Sequence, residues 1–245
     1  MNLLGNTILA GRIKRRILVN FRVRPEALAG MVPAPFRLKL VDGHAIAGIC
    51  LIRLEAVRPR GFPAWCGLAS ENAAHRIAVE WDDAGTLRSG VFVPRRDTDS
   101  WINRLAGGRM FPGHHGAATF QVRDERGAIS IKVSGHGSGL AVFVQAREAE
   151  HLPGSSVFHT IEQANAFFQE GSVGWSATPR LNVVDGMELR CTGWKMRPLA
   201  VSEVHSDFLT RLGASAEFDS AFLMRVIDHE WHSLGTMRLP GACPC

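Results

Sequence analysis

The stretch from Gly107 to His115, Gly-Gly-Arg-Met-Phe-Pro-Gly-His-His, places an arginine, a rigid Phe-Pro step and two imidazoles in one connection. The Arg109 guanidinium could grip a carboxylate through paired hydrogen bonds, and a histidine could move a proton near neutral pH. Adjacent residues on an extended chain point to opposite faces, so at most one of His114 and His115 can serve one pocket. We assign that role to His114. The stretch therefore combines groups that could bind a small anion and move a proton.

Other short motifs accompany this loop. They are the aromatic-Arg pair Phe21-Arg22, the turn Met31-Val32-Pro33-Ala34-Pro35, the proline-rich segment 57–63 and the acidic segment Ser70-Glu71-Asn72-Ala73. Together with Phe111-Pro112 they resemble the acetoacetate decarboxylase superfamily, and most closely its branch called DUF2071 or YqjF-like. The resemblance covers most of residues 15–235.

The resemblance implies both a fold and a site. The fold is mainly β, of the α+β kind: an antiparallel β-barrel or curved sheet with a few peripheral short helices. Arg22, Arg109 and Phe111 would bind the substrate, and Glu71 would be the general acid or base with His114 as its partner. Without the resemblance, the residues themselves favour a surface or barrel-rim salt bridge for each arginine and a solvated loop carboxylate for Glu71.

The lysine that forms the family's Schiff base is missing, because Gly113 and His114 stand where the family has two lysines. The nearest lysines in the sequence, Lys132 and Lys195, are predicted on strands, where an outward, solvated side chain is the usual outcome. Two functions stay open. One is a Schiff-base-independent enzyme that acts on a small carbonyl-containing carboxylate by proton transfer, hydration or lyase chemistry. The other is a non-catalytic protein that binds small carboxylates.

Composition narrows the class of protein. With 245 residues, 46% hydrophobic and 21% charged, the chain is expected to form one globular domain, 1–245, with a flexible tail at 240–245. The net charge of +5 is scattered, which favours a small anionic partner over nucleic acid. No apolar run is long enough to cross a membrane and no export signal is evident, so we expect a cytoplasmic protein. Assembly into a homo-oligomer is also compatible with the sequence.

Neither a cofactor nor a metal is expected. The five cysteines lack zinc-site spacing, and Cys243-Pro244-Cys245 offers two ligands on a terminal tail, which is not enough to enclose an ion. The segment from His229 to His232, His-Glu-Trp-His, is one residue short of the zinc-protease motif, and strand alternation would put its two imidazoles on opposite faces.

Local patterns predict the elements that position the loop. Residues 57–72, rich in proline and glycine, predict a long loop, and Asp97 is predicted as the N-cap of a helix that ends at Gly107. A capping box at Thr160 predicts a helix with a packed apolar stripe. An Asp185-Gly186 turn and a helix at 202–212 are expected further on.

Overall fold

The computed structural model describes residues 8–105, 113, 115–136 and 141–240. Strands dominate this part of the chain. They are β1 (Leu9–Val23), β2 (Arg37–Leu38), β3 (Leu40–Val41), β4 (His44–Pro59), β5 (Leu68–Asp83), β6 (Thr86–Thr98), β7 (His115–Glu125), β8 (Ala128–Gly135), β9 (Ala141–Glu148), β10 (Val173–Ala177), β11 (Val183–Cys191), β12 (Arg197–Ser206) and β13 (Ala216–Arg238). The helices are α1 (Pro25–Leu28), α2 (Trp101–Leu105), α3 (Ile161–Glu170) and α4 (Asp207–Thr210), with short 3-10 turns at Ala29–Met31, Ala64–Cys66 and Gly213–Ser215.

The strands form one large curved sheet. Its order is β11-β10-β6-β7-β8-β9-β12-β13-β1-β4-β5-β2, and β3 pairs with β4. Additional β11–β13 and β6–β5 pairings link parts of the sheet that are distant in this order, although the sheet is not a true barrel. The pairs are antiparallel except β10–β6 and β6–β7. The predicted mainly β fold with few short helices is confirmed in its curved-sheet form.

Alternation along the long central strands gives the sheet two buried faces. On β1, Ile17 and Val19 belong to one apolar core, whereas Leu18 belongs to a second core on the other side. Successive strand residues point to opposite faces, so a strand buried on both sides reads as an almost continuous apolar run. Helix α3 packs against the second core through Ala164 and Phe168.

The capping box at the start of α3 is confirmed. Thr160 Oγ1 accepts a hydrogen bond from the Gln163 backbone N–H at 3.1 Å, and Gln163 Oε1 accepts one from the His159 N–H at 2.8 Å. The first contact satisfies a backbone donor that the first turn of the helix leaves unpaired, and the second engages the N–H of the residue that precedes the cap.

Two predicted boundaries near the site are wrong. Half of the segment 57–72 is strand, because β4 continues to Pro59 and β5 begins at Leu68, which puts Glu71 within a sheet. Asp97 is not an N-cap: it lies inside β6, where its carboxylate accepts two hydrogen bonds from Arg95 at 2.9 Å. The cap of α2 is instead Ser100, whose Oγ accepts from the Asn103 N–H at 3.2 Å.

Two later predictions are also wrong. Residues 185 and 186 continue β11 instead of turning, and the glycine is there because a Cβ at Gly186 would lie 2.6 Å from the Trp175 ring. Most of 202–212 is not helical: β12 pairs with β9 through Ser206, and only α4 follows. In both segments, hydrogen bonding to a neighbouring strand determines the structure in place of the turn or helix that the local sequence predicts.

Across the described ranges, none of the helices has the length and apolar character needed to span a membrane.

Candidate functional site

Two neighbouring arginines on β1 face opposite sides of the sheet. Arg15 lies in register with Arg53 of β4, which is itself in register with Glu71 of β5. Arg16 lies beside the second core and lines a cavity there. Directly opposed residues on neighbouring strands share a face of the sheet. Arg15, Arg53 and Glu71 therefore lie on one face, and Arg16 lies on the other.

On the first side, charges are compensated. Arg15 Nη2 donates to both carboxylate oxygens of Glu71, at 2.8 and 3.0 Å, and the two side chains are only 5% and 11% exposed. Arg15 also approaches Asp124 at 3.9 Å, and Asp124 accepts two 2.7 Å hydrogen bonds from Arg225. Burial raises the pKa of the Glu71 carboxyl, and the Arg15 guanidinium opposes that shift. The geometry makes Glu71 part of an ion network that joins β1, β5, β7 and β13.

Arg22 lies far from that network. Its guanidinium pairs with Glu217 Oε2 at 2.5 Å and donates to the Ser155 carbonyl. Seven residues separate Arg22 from Arg15 along β1, which corresponds to about 23 Å. Neither Arg22 nor Glu71 lines the cavity beside Arg16. The structure therefore does not bring together these two sequence-predicted site residues.

The cavity on the second side has a volume of about 120 Å³. An engineered cavity of roughly 150 Å³ accepts benzene, so this space suits a ligand of about six heavy atoms. Among the described residues, the polar and ionisable side chains that line it are Arg16, Cys50, Asn72, Arg76, Arg96, Asp97, Asn103, His115, Ser172 and Trp231.

Three arginines dominate the cavity, and none of them has a carboxylate partner among the described residues. Arg76 is buried; its Nη2 donates to Asn20 Oδ1, whereas its Nε has no partner in this part of the chain. Arg96 donates from Nε to Ser176 Oγ at 3.0 Å. Arg16 has two buried nitrogens, Nε and Nη1, without described partners.

Aromatic rings and burial complete the environment of these cations. The Arg76 guanidinium lies 4.8 Å from the centroid of the Phe168 ring, and that of Arg16 lies 5.1 Å from the Trp194 ring. Burial lowers the pKa of Arg76 and of Arg96 to about 10 in each case. Both remain cations at neutral pH, so the free cavity holds positive charge that an anion would neutralise.

The one carboxylate among the described residues that line the cavity is already neutralised. Asp97 is fully buried and accepts both of its short hydrogen bonds from Arg95. Its charge is therefore committed to a neighbour on the same strand, and it does not offset the three cavity arginines.

Arg109, Phe111 and His114 lie outside the described residues. The chain on either side of that loop reaches the cavity, since Asn103 of α2 and His115 of β7 both line it. His115 is buried and lies in register with Arg96.

Gly113, which occupies a lysine position of the resembling family, is closely packed against β10. Its φ is +80°, and a Cβ there would lie 2.6 Å from Ser176 Cβ and 2.9 Å from the Ala177 carbonyl. Its N–H points to Asp185 Oδ2 at 3.4 Å. Both the backbone conformation and the contacts leave no room for a side chain at this position.

No lysine lines the described part of the cavity. Lys132 and Lys195 are exposed, as the strand prediction expects, and Lys14 is exposed as well. Lys39 pairs with Glu170 at 2.6 Å. None of the four lysines is placed to supply an amine to a ligand there.

The described residues contain no group of three or more histidine, cysteine or acidic side chains arranged to hold a metal ion. His229 is buried, whereas His232 pairs with Glu230 at 2.9 Å. Cys243 and Cys245 lie outside the described residues.

Comparison with solved structures identifies the fold. The structure matches that of acetoacetate decarboxylase from Legionella pneumophila with a TM-score of 0.64 and 12% identity, over 95% of this chain and 88% of that one. An acetoacetate decarboxylase-like enzyme from Sphingomonas wittichii RW1 matches with a TM-score of 0.58 and 13% identity, over 95% and 93%. The enduracididine biosynthesis enzyme MppR, complexed with pyruvate, matches at 0.53 and 11%, over 95% and 90%. The fold is acetoacetate-decarboxylase-like.

Sequence comparison identifies the family within that class. The model of DUF2071, described as an uncharacterized conserved protein, matches residues 11–221. The chain belongs to this family, as the motifs predicted. No curated protein matched the sequence.

Sequence reasoning missed the three cavity arginines and His115. A usable signal was present on β5, where Arg76 lies between Ala74 and Ala78 on the same face. Small residues two positions away on either side leave space beside an inward-pointing charge, which is unusual for a core strand. The face of a single arginine cannot be assigned, however, until the strand register is known.

Proposed function

We propose that the cavity binds a small carboxylate that also carries a carbonyl group, and that the protein acts on it without a Schiff base. The observation that carries this proposal is the group of three arginines, Arg16, Arg76 and Arg96, without carboxylate partners among the described residues. A buried cation is costly when unpaired, and a bound anion removes that cost. The size of the cavity supports a ligand as small as pyruvate or acetoacetate.

The chemistry we propose is proton transfer, hydration or lyase chemistry at the carbonyl. Schiff-base formation needs an amine, and no lysine lines the described cavity. Among the described residues that line the cavity, His115 carries an imidazole, a side chain that can serve as a general acid or base. The roles that the family resemblance implies for Arg109, Phe111 and His114 remain part of the proposal.

A non-catalytic binding protein is the second candidate, and the state of Asp97 favours it. A general base is best supplied by a carboxylate or imidazole that is available to the substrate. Both oxygens of Asp97 are engaged by Arg95, so the carboxylate at the cavity wall is not available.

Calorimetric titration of pyruvate and of acetoacetate tests the anion site. Arg96→Gln should weaken binding by about thirty- to several-hundred-fold, because it removes a charge-assisted contact from a buried site. Arg12→Gln is the matched control: Arg12 pairs with Asp228 on the surface, and its loss should leave affinity unchanged. Absence of binding to the wild type at millimolar concentration would sink the proposal.

Arg109→Ala in the same titration tests the loop. We expect a loss in the same range if Arg109 grips the carboxylate. Affinity equal to that of the wild type would remove Arg109 from the site and leave the three described arginines as the binding groups.

Exchange of the pyruvate methyl protons in D₂O, followed by NMR, separates the two candidates. An enzyme that moves protons next to the carbonyl should accelerate exchange, and His115→Gln should reduce the acceleration. Binding without acceleration of exchange or consumption of either keto acid favours the non-catalytic protein.

A further inference from the structure

Cys50 lies on the wall of the arginine cavity. It is on β4, is buried, and lines the same space as Arg76 and Arg96. Cys50 is in register with Ala74 of β5, and Ala74 is in register with Arg96 of β6. Strands lie about 4.8 Å apart, so the three residues form one row across the same face. Because the middle residue is only an alanine, the arginine can extend over it toward the sulfur.

The electrostatic environment agrees with this geometry. Burial is the main cause of the lowered pKa of Arg76 and of Arg96, and the charge of an ionised Cys50 opposes the shift at both. The sulfur is therefore within electrostatic range of two cations. Two cations beside the sulfur would hold an anionic ligand next to it.

An independent feature indicates that a ligand belongs beside this thiol. Arg76 is only 7% exposed, and its Nε has no hydrogen-bond partner among the described residues. A buried donor of this kind is costly to leave unpaired. A carboxylate in the cavity would satisfy it, and the rest of a six-atom ligand would then lie near Cys50.

The other described cysteines lack this combination. Cys66 is exposed, and its Sγ lies 3.0 Å from the Pro63 carbonyl. Cys191 is half-buried, and burial raises the pKa of its thiol. Cys66 is therefore the natural internal control.

We propose that Cys50 is the nucleophile of the cavity and adds reversibly to the carbonyl carbon of the bound carboxylate. The inference rests on the proposed anion site. In the step, a bond forms between sulfur and the carbonyl carbon, the C=O π pair moves to oxygen, and that oxygen takes the proton that the thiol gives up. The product is a thiohemiketal. The step consumes no other reactant and reverses by the same path.

Charge-selective alkylation tests access and activation together. Folded protein is treated with iodoacetate or iodoacetamide, and the rate at each cysteine is followed by peptide mass spectrometry. The arginines should steer the anionic reagent, so the iodoacetate-to-iodoacetamide rate ratio at Cys50 should exceed that at Cys66 by about tenfold or more. Arg96→Gln should lower the ratio at Cys50 alone. Equal ratios at the two cysteines, or no alkylation of Cys50, would overturn the inference.

The adduct itself is tested with pyruvate labelled with ¹³C at the carbonyl carbon. A protein-dependent tetrahedral-carbon resonance, distinct from pyruvate hydrate, should appear with the wild type and with Cys66→Ala. It should be lost in Cys50→Ala and in Cys50→Ser, the second variant guarding against a packing defect.

The same samples distinguish failure of this inference from failure of the proposed function. If pyruvate binds the wild type and Cys50→Ala equally and gives no tetrahedral resonance, the nucleophilic role of Cys50 is disproved and the anion site is still supported. If pyruvate does not bind the wild type, the anion site is disproved, and the addition of Cys50 to a bound keto acid is disproved with it.

Discussion

Arg15 and Arg16 are neighbours in sequence, but they lie on opposite faces of the sheet in different electrostatic environments. Arg15 meets Glu71 at 2.8 Å within a buried ion network, whereas Arg16 faces a cavity and has two buried nitrogens without partners among the described residues. Breaking a buried pair is strongly destabilising because a charge is left behind, but a charge that is already unpaired contributes no such bond. The first arginine belongs to the architecture, and the second is available to a ligand.

Arg15→Met should produce the largest effect on stability. The substitution leaves the buried Glu71 carboxylate without its ion-pair partner, so the free energy of unfolding should fall by about 3–5 kcal/mol in urea denaturation. Arg12→Met removes an exposed pair with Asp228 and should cost less than about 1 kcal/mol. Equal losses in the two variants would show that the Arg15 network is not buried as described.

Two buried histidines, one on each side of the sheet, predict acid sensitivity. Burial lowers the pKa of His75 and of His229 to about 4, against 6.5 for an unperturbed imidazole. Between pH 6.5 and 4 the unfolded chain takes up protons that the folded state does not, so stability should fall as pH falls. Each histidine accounts for about 3 kcal/mol across that window.

The slope of unfolding free energy against pH is the measurement. His75→Gln should flatten the slope between pH 6.5 and 4, whatever its effect on stability at neutral pH. His151→Gln, at an exposed position, should leave the slope unchanged. An unaltered slope in His75→Gln would show that the ring takes up its proton over the same pH range in the folded and unfolded states.

Gly113→Ala tests how closely Gly113 is packed against β10. Gly113 and Gly127 both have positive φ, +80° and +75°, but a Cβ at Gly127 meets nothing within 4 Å. Gly127→Ala should therefore cost about 1 kcal/mol of backbone strain. Gly113→Ala should cost about 1–3 kcal/mol more, because its Cβ would overlap Ser176. Equal losses of unfolding free energy in the two variants would mean that β10 can move to accommodate a Cβ at position 113.

Arg16→Met should have the smallest effect on stability and sharpens the comparison with Arg15→Met. Loss of the contact with Trp194 and removal of a poorly compensated charge oppose each other, so the unfolding free energy should change by less than about 1 kcal/mol. Pyruvate affinity should fall in calorimetry. A stability loss as large as that of Arg15→Met would show that Arg16 also has a structural partner.

Much of the fold was predictable because it depends on local patterns. The strand alternation, the capping box at Thr160 and the family motifs correctly predicted a mainly β, acetoacetate-decarboxylase-like protein. The wrong local predictions concern residue types that occur in two kinds of structure. Asp97 could cap a helix but binds Arg95, and Gly186 could form a turn but leaves space for the Trp175 ring.

The site was harder to predict because it depends on register. The sequence does not show that Glu71 and Arg15 oppose each other across β4, and Arg76 and Arg96 are brought to one cavity only by the pairing of β5 with β6. A shift of one residue would send each of these side chains to the other face. Motif similarity selected Arg22 and Glu71 by position along the chain and carried no information on that register.

The stacking of Arg16 on Trp194 gives the protein an internal optical reporter. The sequence has six tryptophans and no tyrosine, so near-ultraviolet emission arises from tryptophan without a tyrosine background. Trp194 lies against a cavity cation, and Trp231 is part of the cavity wall. An anion that enters should alter the field at these indoles and therefore their emission. Candidate ligands can be screened by fluorescence with unlabelled protein before any product is known.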